Sequence, residues 1–134
     1  MFQEFMIAAF TPSFAEREIF WFEENAKKIR ELSARDPFWR ENIVFIKEGV
    51  CLSLSEFLRK LDDLDYEKVQ TVNMRGEFSV LGGMVTLFPI NLDHPLRVEF
   101  LGNKIEKIYA LSSLADLPQE KRERLLKKEM LKRE

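Results

Sequence analysis

The sequence predicts an α/β (α+β) fold: a small antiparallel β-meander of two consecutive hairpins, with additional strands and with amphipathic helices packed on the sheet. Residues 75–109 contain two pairs of segments in which apolar and polar residues alternate. Each pair is joined by a two-residue turn that contains glycine, which is typical of β-hairpins. Upstream, apolar residues recur at intervals of three and four, as on one side of a helix.

The first predicted hairpin covers residues 78–87, where apolar residues alternate with a serine and a threonine. Gly82-Gly83 lies between its strands and predicts a type I′ turn, because glycine takes the positive φ required at both central positions. The second predicted hairpin covers residues 96–109, with Gly102-Asn103 as its turn. The glycines assigned to structural turns are Gly76, Gly82, Gly83 and Gly102.

The residues before the hairpins predict a helix over 12–34, with Ser13 and Glu16 in a capping-box pattern and an apolar stripe behind them. Residues 1–10 are apolar and short, and fit either a buried strand or the first turn of a helix. Asp36-Pro37 predicts the end of the helix, because a residue before proline disfavours the α region.

Three further elements are predicted. Residues 43–47 are rich in β-branched and aromatic residues and predict a strand that Gly49 closes. Ser53 and Glu56 form a second capping-box pattern ahead of a helix, and residues 66–72 are a further strand candidate. Residues 111–117 predict a short linker, and residues 119–134 predict a strongly charged helix, for which a solvated face is the ordinary interpretation.

Length and composition predict one principal domain. We expect it to span residues 1–115, with the N-terminal helix at 12–34 and a core at 43–110, and residues 116–134 to form a charged helix or linker leading to missing C-terminal parts. Hydrophobic residues make up 46% and charged residues 33%, which is ordinary for a soluble fold. A net charge of −2 does not indicate binding to nucleic acid by bulk charge.

The sequence gives no signal for a membrane or an exported protein. No apolar run approaches the ~20 residues of a membrane span, and the N-terminus lacks the basic region of a signal peptide, so the expected localisation is cytoplasmic. Cys51 is the single cysteine, so an intramolecular disulfide is ruled out. The ordinary interpretation of Cys51 is a small core residue.

No catalytic residue, metal site or cofactor is predicted. His94 is the only histidine and lies in a predicted turn, without a second histidine for a metal pair. Gly82-Gly83 is not followed by the lysine and hydroxyl residue of a phosphate loop, and the aspartates near residue 63 lack calcium-loop spacing. We therefore expect a non-catalytic segment.

One pair of polar residues lies within the second hairpin. Arg97 and Glu99 are two residues apart on one predicted strand and so share a sheet face. On these residues alone, a solvated outer face of the sheet is the ordinary interpretation. A family resemblance, described next, implies instead that these two residues bind a partner protein.

RGEFSVLGGMVTLFP at 75–89, followed by HPLRVEFLGNKIEKI at 94–108, resembles the UvrB interaction-type domain that UvrB shares with the transcription-repair coupling factor Mfd. The Gly-Gly pair and the HPLR run look closer to the coupling factor. The resemblance covers about residues 43–109. It implies a small α/β docking module for UvrA, in a nucleotide excision repair protein whose parent is an ATP-dependent DNA translocase.

Carried over by position, the resemblance implies a set of partner-binding residues. Arg97 and Glu99 match the family's R-x-E pair, and Lys68 stands where the family often has arginine. Ser79 and Leu81 occupy two strand positions of the family's arginines. Because leucine cannot replace the bidentate contacts of a guanidinium group, we expect weaker UvrA binding.

Two functions from different classes follow. The first is a protein-docking module that binds a UvrA-type repair protein. The second is a structural or autoregulatory domain that packs on other domains of its own parent chain, without binding UvrA. Direct contact with nucleic acid through the C-terminal basic residues is the weakest alternative, since acidic residues alternate with them. We expect no membrane contact and a monomer.

Overall fold

The computed structural model of the protein describes residues 4–111, apart from the side chains of Ser13 and Ala15. The predicted linker at 111–117 lies outside this part of the chain except for its first residue, as does the predicted charged helix at 119–134. The described elements, in chain order, are β1 (Phe5–Ala8), α1 (Pro12–Ala15), α2 (Ile19–Glu24), α3 (Ala26–Arg35), α4 (Pro37–Asn42), β2 (Ile43–Ile46), α5 (Leu54–Asp63), β3 (Glu67–Lys68), β4 (Glu77–Leu81), β5 (Met84–Leu87), β6 (Leu96–Leu101) and β7 (Lys104–Ala110).

A five-stranded sheet in the order β3-β4-β5-β6-β7 forms the centre of the fold. Strands β4 to β7 are consecutive antiparallel neighbours, so the predicted meander and the α+β class are confirmed. The short strand β3 adds to β4 in parallel, and β1 and β2 form a separate antiparallel pair. Of the two interpretations of the N-terminal apolar segment, a strand is observed at Phe5–Ala8.

The turn between β4 and β5 differs from the predicted type I′. Gly82 has a φ of +59°, but Gly83 has no positive φ. Positive φ at the first central position alone is the requirement of a type II′ turn. The carbonyl of Gly83 accepts a hydrogen bond of 2.9 Å from the N–H of Phe100, so Gly83 is already part of the ladder with β6. This pairing is the physical reason for the difference.

The single helix predicted over 12–34 is wrong, since three shorter helices occupy the region. Glu18 has an extended backbone at ψ 150°, which separates α1 from α2, and Asn25 separates α2 from α3 with a ψ of 9°. The Asn25 side chain donates to the carbonyl of Trp21 at 2.8 Å and so competes with the helical bonding pattern.

The first predicted capping box is also wrong. α1 begins at Pro12, and Thr11 is its N-cap residue, with a hydroxyl that accepts from the N–H of Phe14 at 3.3 Å. Ser13 therefore lies within α1, and Thr11 occupies the N-cap position that was predicted for Ser13. For the second box, the N-cap role of Ser53 is confirmed, because its hydroxyl accepts from the N–H of Glu56 at 3.2 Å.

Two other boundaries can be compared with the prediction. α3 ends before Asp36-Pro37, as predicted, and the same pair opens α4 with Asp36 as the N-cap residue. The strand candidate at 66–72 is limited to Glu67–Lys68. The chain turns away soon afterwards, because the Glu77 carboxylate accepts hydrogen bonds from the N–H groups of Asn73 and Met74.

The hydrophobic core lies between one face of the five-stranded sheet and α5. Phe57 and Leu61 of α5 are fully buried, as are Val85 and Val98 on the central strands. The rings of Phe57 and Phe100 lie 5.5 Å apart between centroids, which fixes the helix against β6. This confirms the predicted packing of an amphipathic helix on the meander. No helix among residues 4–111 has both the length and the apolar character needed to cross a membrane.

Two buried polar side chains join β1 to the rest of the molecule. The Asn91 amide accepts from the N–H of Ala8 at 3.0 Å and donates to the carbonyl of Met6 at 2.8 Å. The Tyr66 hydroxyl donates to the carbonyl of Ala8 at 2.8 Å and accepts from the N–H of Ile90 at 3.0 Å. Because buried backbone groups must be paired, these side chains replace a neighbouring strand along the outer edge of β1.

Tyr66 predicts a pH dependence of stability. Burial raises the pKa of its phenol, and the hydrogen bond from Ile90 opposes this only in part. The folded state therefore holds the proton more tightly than the unfolded state, in which the phenol titrates near pH ~10. We expect the free energy of unfolding to fall as the pH rises above about 10. Urea denaturation of the wild type and of Tyr66→Phe between pH 8 and 11 measures this, and an equal slope in both proteins contradicts it.

Candidate protein-docking face

The face of the five-stranded sheet that points away from the core holds the predicted site. Alternation along each strand separates this face from the buried positions of the same strands, such as Phe78, Val85 and Val98. We call it the outer face. It includes Ser79, Leu81, Met84, Thr86, Arg97, Glu99, Leu101, Lys104, Lys107 and Tyr109.

The strand register arranges most of these side chains in two rows across β4 to β7. The first row is Ser79, Thr86, Arg97 and Tyr109. The second row is Leu81, Met84, Glu99 and Lys107. An irregularity in the β6–β7 pairing follows Glu99, where the register shifts before Phe100 pairs with Ile105. The structure therefore brings together four of the five predicted partner-binding residues.

Arg97 is the most constrained side chain of the outer face. Its guanidinium carbon lies 4.7 Å from the centroid of the Tyr109 ring, in a cation–π contact. Its Nε lies 3.8 Å from Oε1 of Glu99, which is too long for a hydrogen bond. This Nε is buried and has no hydrogen-bond partner among the residues that the structure describes.

The unpaired Nε matters because buried donors in native structures are nearly always satisfied. Arg97 and Glu99 are about one-third exposed, with side-chain exposures of 35% and 27%, so an approaching molecule can reach both of them. A guanidinium group presents several N–H donors in a planar fork that fits a carboxylate. Arg97 and Glu99 therefore present a cationic and an anionic group side by side on the outer face.

The outer face becomes apolar toward its two glycine turns. Leu81 is 64% exposed and Leu101 is 59% exposed, and the partly buried Met84 lies opposite Leu81. Leu81 and Leu101 lie on strands that β5 separates, and the register places Met84 beside Leu81 and Lys104 beside Leu101. The Arg97 end and the Leu81 end thus offer different chemistry to a partner.

The fifth predicted partner-binding residue lies elsewhere. Lys68 pairs with Phe78 in the parallel register of β3 and β4, and Phe78 is buried in the core. Strand alternation consequently assigns Lys68 to the opposite side of the sheet, where it is exposed at the edge. It is not brought together with Arg97 and Glu99.

The predicted turn glycines occupy turns, and three of them need glycine for its backbone freedom. Gly82 and Gly102 have φ values of +59° and +60° at the first positions of the two hairpin turns. Gly76 has a φ of +89°, and the ring of Phe10 lies so close that an added Cβ would be only 2.5 Å from it. These glycines shape both ends of the outer face.

The reactive side chains that the sequence offers do not converge on this face. His94 pairs with its neighbour Asp93 at 2.8 Å, and this hydrogen bond is the main cause of the lowered pKa of that carboxyl group. Cys51 is exposed, so the interpretation as a core residue is wrong. It lies in an isolated bridge with Lys104 at the edge of the sheet, where one side faces solvent.

Sequence reasoning missed Thr86 and Tyr109 as members of the site. Alternation identified their strands, but their position beside Arg97 depends on the register of β5, β6 and β7. Because the register shifts after Glu99, counting residues back from the Gly102 turn does not give the correct partner of Arg97 on β7. Tyr109 is 40% exposed and Thr86 is partly buried.

A protein-family model described as the UvrB interaction domain matches residues 44–126. This chain belongs to that family. The match covers more than half of the chain, begins at the second residue of β2, and includes the whole outer face. The resemblance inferred from the motifs is thereby confirmed at the level of the family.

Several curated relatives carry the name UvrABC system protein B. The protein of Listeria innocua is 37% identical over 75 residues, which is 55% of this chain and 11% of the relative. That of Bacillus subtilis is 38% identical over 77 residues, or 57% of this chain and 12% of the relative. That of Lactiplantibacillus plantarum is 35% identical over 81 residues. The chain therefore spans about a tenth of the length of these relatives.

Proposed function

We propose that this chain is a protein-docking module that binds a UvrA-type repair protein through the outer face of its sheet. The observation that carries the proposal is the Arg97 side chain, which is 35% exposed on the outer face beside the Glu99 carboxylate and is stacked on Tyr109. Membership of the UvrB interaction family supports the choice of partner. The chemistry is recognition alone, and this segment acts without catalysis or a cofactor.

Arg97 and Glu99 offer charges of opposite sign, so a partner with the complementary arrangement would be held in one orientation. Ser79 and Thr86 extend the Arg97 row with hydroxyl groups that both donate and accept. Lys68 lies on the edge strand β3, on the opposite side of the sheet, and would take part only if the partner reaches around β3. We therefore assign it the least weight of the predicted residues.

The wider biological role is proposed on the same family membership. We infer a function in nucleotide excision repair in the cytoplasm, with the module as a monomeric part of a parent that is an ATP-dependent DNA translocase. The motif comparison favours a parent like the transcription-repair coupling factor. Residues 1–115 would be the docking domain, and residues 116–134 would lead to further parts of that parent. Contact with nucleic acid or membrane is not part of the proposal.

Replacing Arg97 tests the docking role. Arg97→Ala is expected to weaken binding to UvrA by about 30-fold, since loss of a central interface arginine commonly costs ~2 kcal/mol. Isothermal titration calorimetry at low and moderate salt measures the effect. Arg17→Ala is the matched control, because Arg17 stacks on Trp21 at the same 4.7 Å but lies outside the sheet. Absence of binding by the wild type at low salt rejects the docking role, and unchanged binding by Arg97→Ala rejects this face.

Leu81 is expected to limit the affinity. It lies at a strand position where a guanidinium fork would add bidentate contacts that leucine cannot make. Leu81→Arg should therefore bind UvrA several-fold more tightly at low salt, and the gain should shrink as salt screens the added charge. An affinity that falls or stays constant on this substitution contradicts the expectation.

The exposed apolar end of the outer face favours one alternative function. Leu81 and Leu101 have the exposure expected of a surface that another domain of the parent chain covers. In this second proposal the module is structural or autoregulatory and does not bind UvrA. Deleting residues 1–110 from the parent protein should then alter its activity or self-association. A parent that is unchanged in both properties excludes this alternative.

A further inference from the structure

Tyr109 is the one aromatic residue that contacts Arg97 in the part of the chain described by the structure, and none of the sequence motifs singled it out. The two residues lie directly opposite each other in the β6–β7 register. The Tyr109 ring lies 4.7 Å from the guanidinium carbon, which is close enough for a cation–π contact. At 40% exposure, the ring is also accessible from the outer face.

The backbone around Tyr109 is fixed on both sides, although β7 is at the edge of the sheet. The N–H of Ile108, one residue before it, donates to the Glu48 carboxylate at 3.0 Å. Two residues after it, the N–H of Leu111 donates to the carbonyl of Pro95 at 2.9 Å. Hydrogen bonds on both sides of Tyr109 therefore fix the backbone that carries the ring.

The contact restricts Arg97 without satisfying its donors. A free arginine side chain has many rotamers, and ordering it on binding costs entropy. The face of an aromatic ring holds the guanidinium plane but accepts no conventional hydrogen bond from its edge. Among residues 4–111, Glu99 is the carboxylate found near Nε, and at 3.8 Å it is too far to accept a hydrogen bond from it.

We propose that Tyr109 is a positioning residue of the docking face, which holds the partly exposed Arg97 side chain so that its guanidinium group can receive a carboxylate of the docked protein. The inference rests on the proposed function and adds the chemistry of the contact. Because the ring already restricts the guanidinium group in the free protein, less side-chain freedom is lost on docking. The carboxylate would accept hydrogen bonds from the guanidinium N–H groups, in the bidentate geometry that arginine favours.

The first test uses the free chain. In a ¹H–¹⁵N NMR spectrum of the side-chain N–H groups, the Arg97 Nε–H should show a ring-current shift that disappears in Tyr109→Ala and persists in Tyr109→Phe. Identical Arg97 signals in the wild type and Tyr109→Ala would overturn the positioning role. This measurement does not require UvrA, so it separates failure of this inference from failure of the proposed function.

The second test measures affinity for UvrA by calorimetry. Tyr109→Ala should weaken binding about fivefold, within the range of a partly exposed cation–π contact, whereas Tyr109→Phe should stay within about twofold of the wild type because its ring is kept. In an Arg97→Ala background, Tyr109→Ala should have no further effect. Phe20→Ala, which removes a 56% exposed aromatic side chain from α2, is the control and should bind like the wild type.

Three outcomes overturn the inference. Wild-type affinity in Tyr109→Ala shows that the ring does not assist docking. If Tyr109→Ala lowers the affinity equally in the wild type and in the Arg97→Ala background, Tyr109 contacts the partner directly and does not act through Arg97. Absence of UvrA binding by the wild type removes the proposed function, and the carboxylate contact with it.

Discussion

Asn91→Ala is expected to lower the free energy of unfolding by about 3 kcal/mol, one of the two largest losses predicted for a single side chain of this protein. Asn91 is 2% exposed, and its amide satisfies the N–H of Ala8 and the carbonyl of Met6. Alanine would leave the buried N–H of Ala8 and the partly buried carbonyl of Met6 without this partner, and an unsatisfied buried group costs ~1–3 kcal/mol. Urea denaturation followed by circular dichroism measures the change.

Asn73→Ala is the matched control for this substitution. The Asn73 amide donates to the carbonyl of Thr71 at 3.2 Å, but the residue is exposed, so water can replace the bond. Its removal should change the free energy of unfolding by less than about 0.5 kcal/mol. Equal stabilities for the two variants would show that β1 does not depend on the Asn91 amide.

Gly76→Ala is the second large effect, with an expected loss of about 3 kcal/mol in the free energy of unfolding. Its φ of +89° is unfavourable for alanine, and an added Cβ would lie 2.5 Å from a ring carbon of Phe10. The ring would have to move, or the backbone would. Thermal or chemical denaturation of the purified variant measures the sum of both costs.

Two further variants separate those costs. Gly49 has the same φ of +89° but no atom within 4 Å of its added Cβ, so Gly49→Ala should lose only the conformational part, about 1 kcal/mol. Phe10→Ala combined with Gly76→Ala should recover the steric part, because the obstructing ring is gone. If Gly76→Ala costs no more than Gly49→Ala, the contact with Phe10 does not constrain this position.

The meander was predictable because its information is local. Alternation on each side of Gly82-Gly83 and Gly102-Asn103 identified the strands, and the same period placed Arg97 and Glu99 on one face. The continuous helix over 12–34 failed, because its apolar period continues across Glu18 and Asn25 while their backbones leave the helical region. Apolar periodicity indicates which side of a helical segment is buried, but it does not indicate where the backbone leaves the helical conformation.

The remaining errors concern contacts between distant parts of the chain. Asn91 lies 83 residues from Ala8, and nothing around it distinguishes it from an ordinary loop asparagine. Tyr109 is beside Arg97 only because of a strand register that the shift after Glu99 obscures. Lys68 was grouped with the docking residues by motif position, whereas the parallel pairing of β3 assigns it to the other side.

The hydrogen bonds of Asn91 and Tyr66 also affect the choice of an N-terminal boundary for a fragment of this domain. The family match starts at residue 44, inside β2, whereas β1 pairs with β2 and is held by both side chains. A fragment trimmed to the homologous segment would lose the strand partner of β2 and uncover two polar groups from the interior. We therefore expect a fragment that begins at residue 44 to be less stable than one that includes β1.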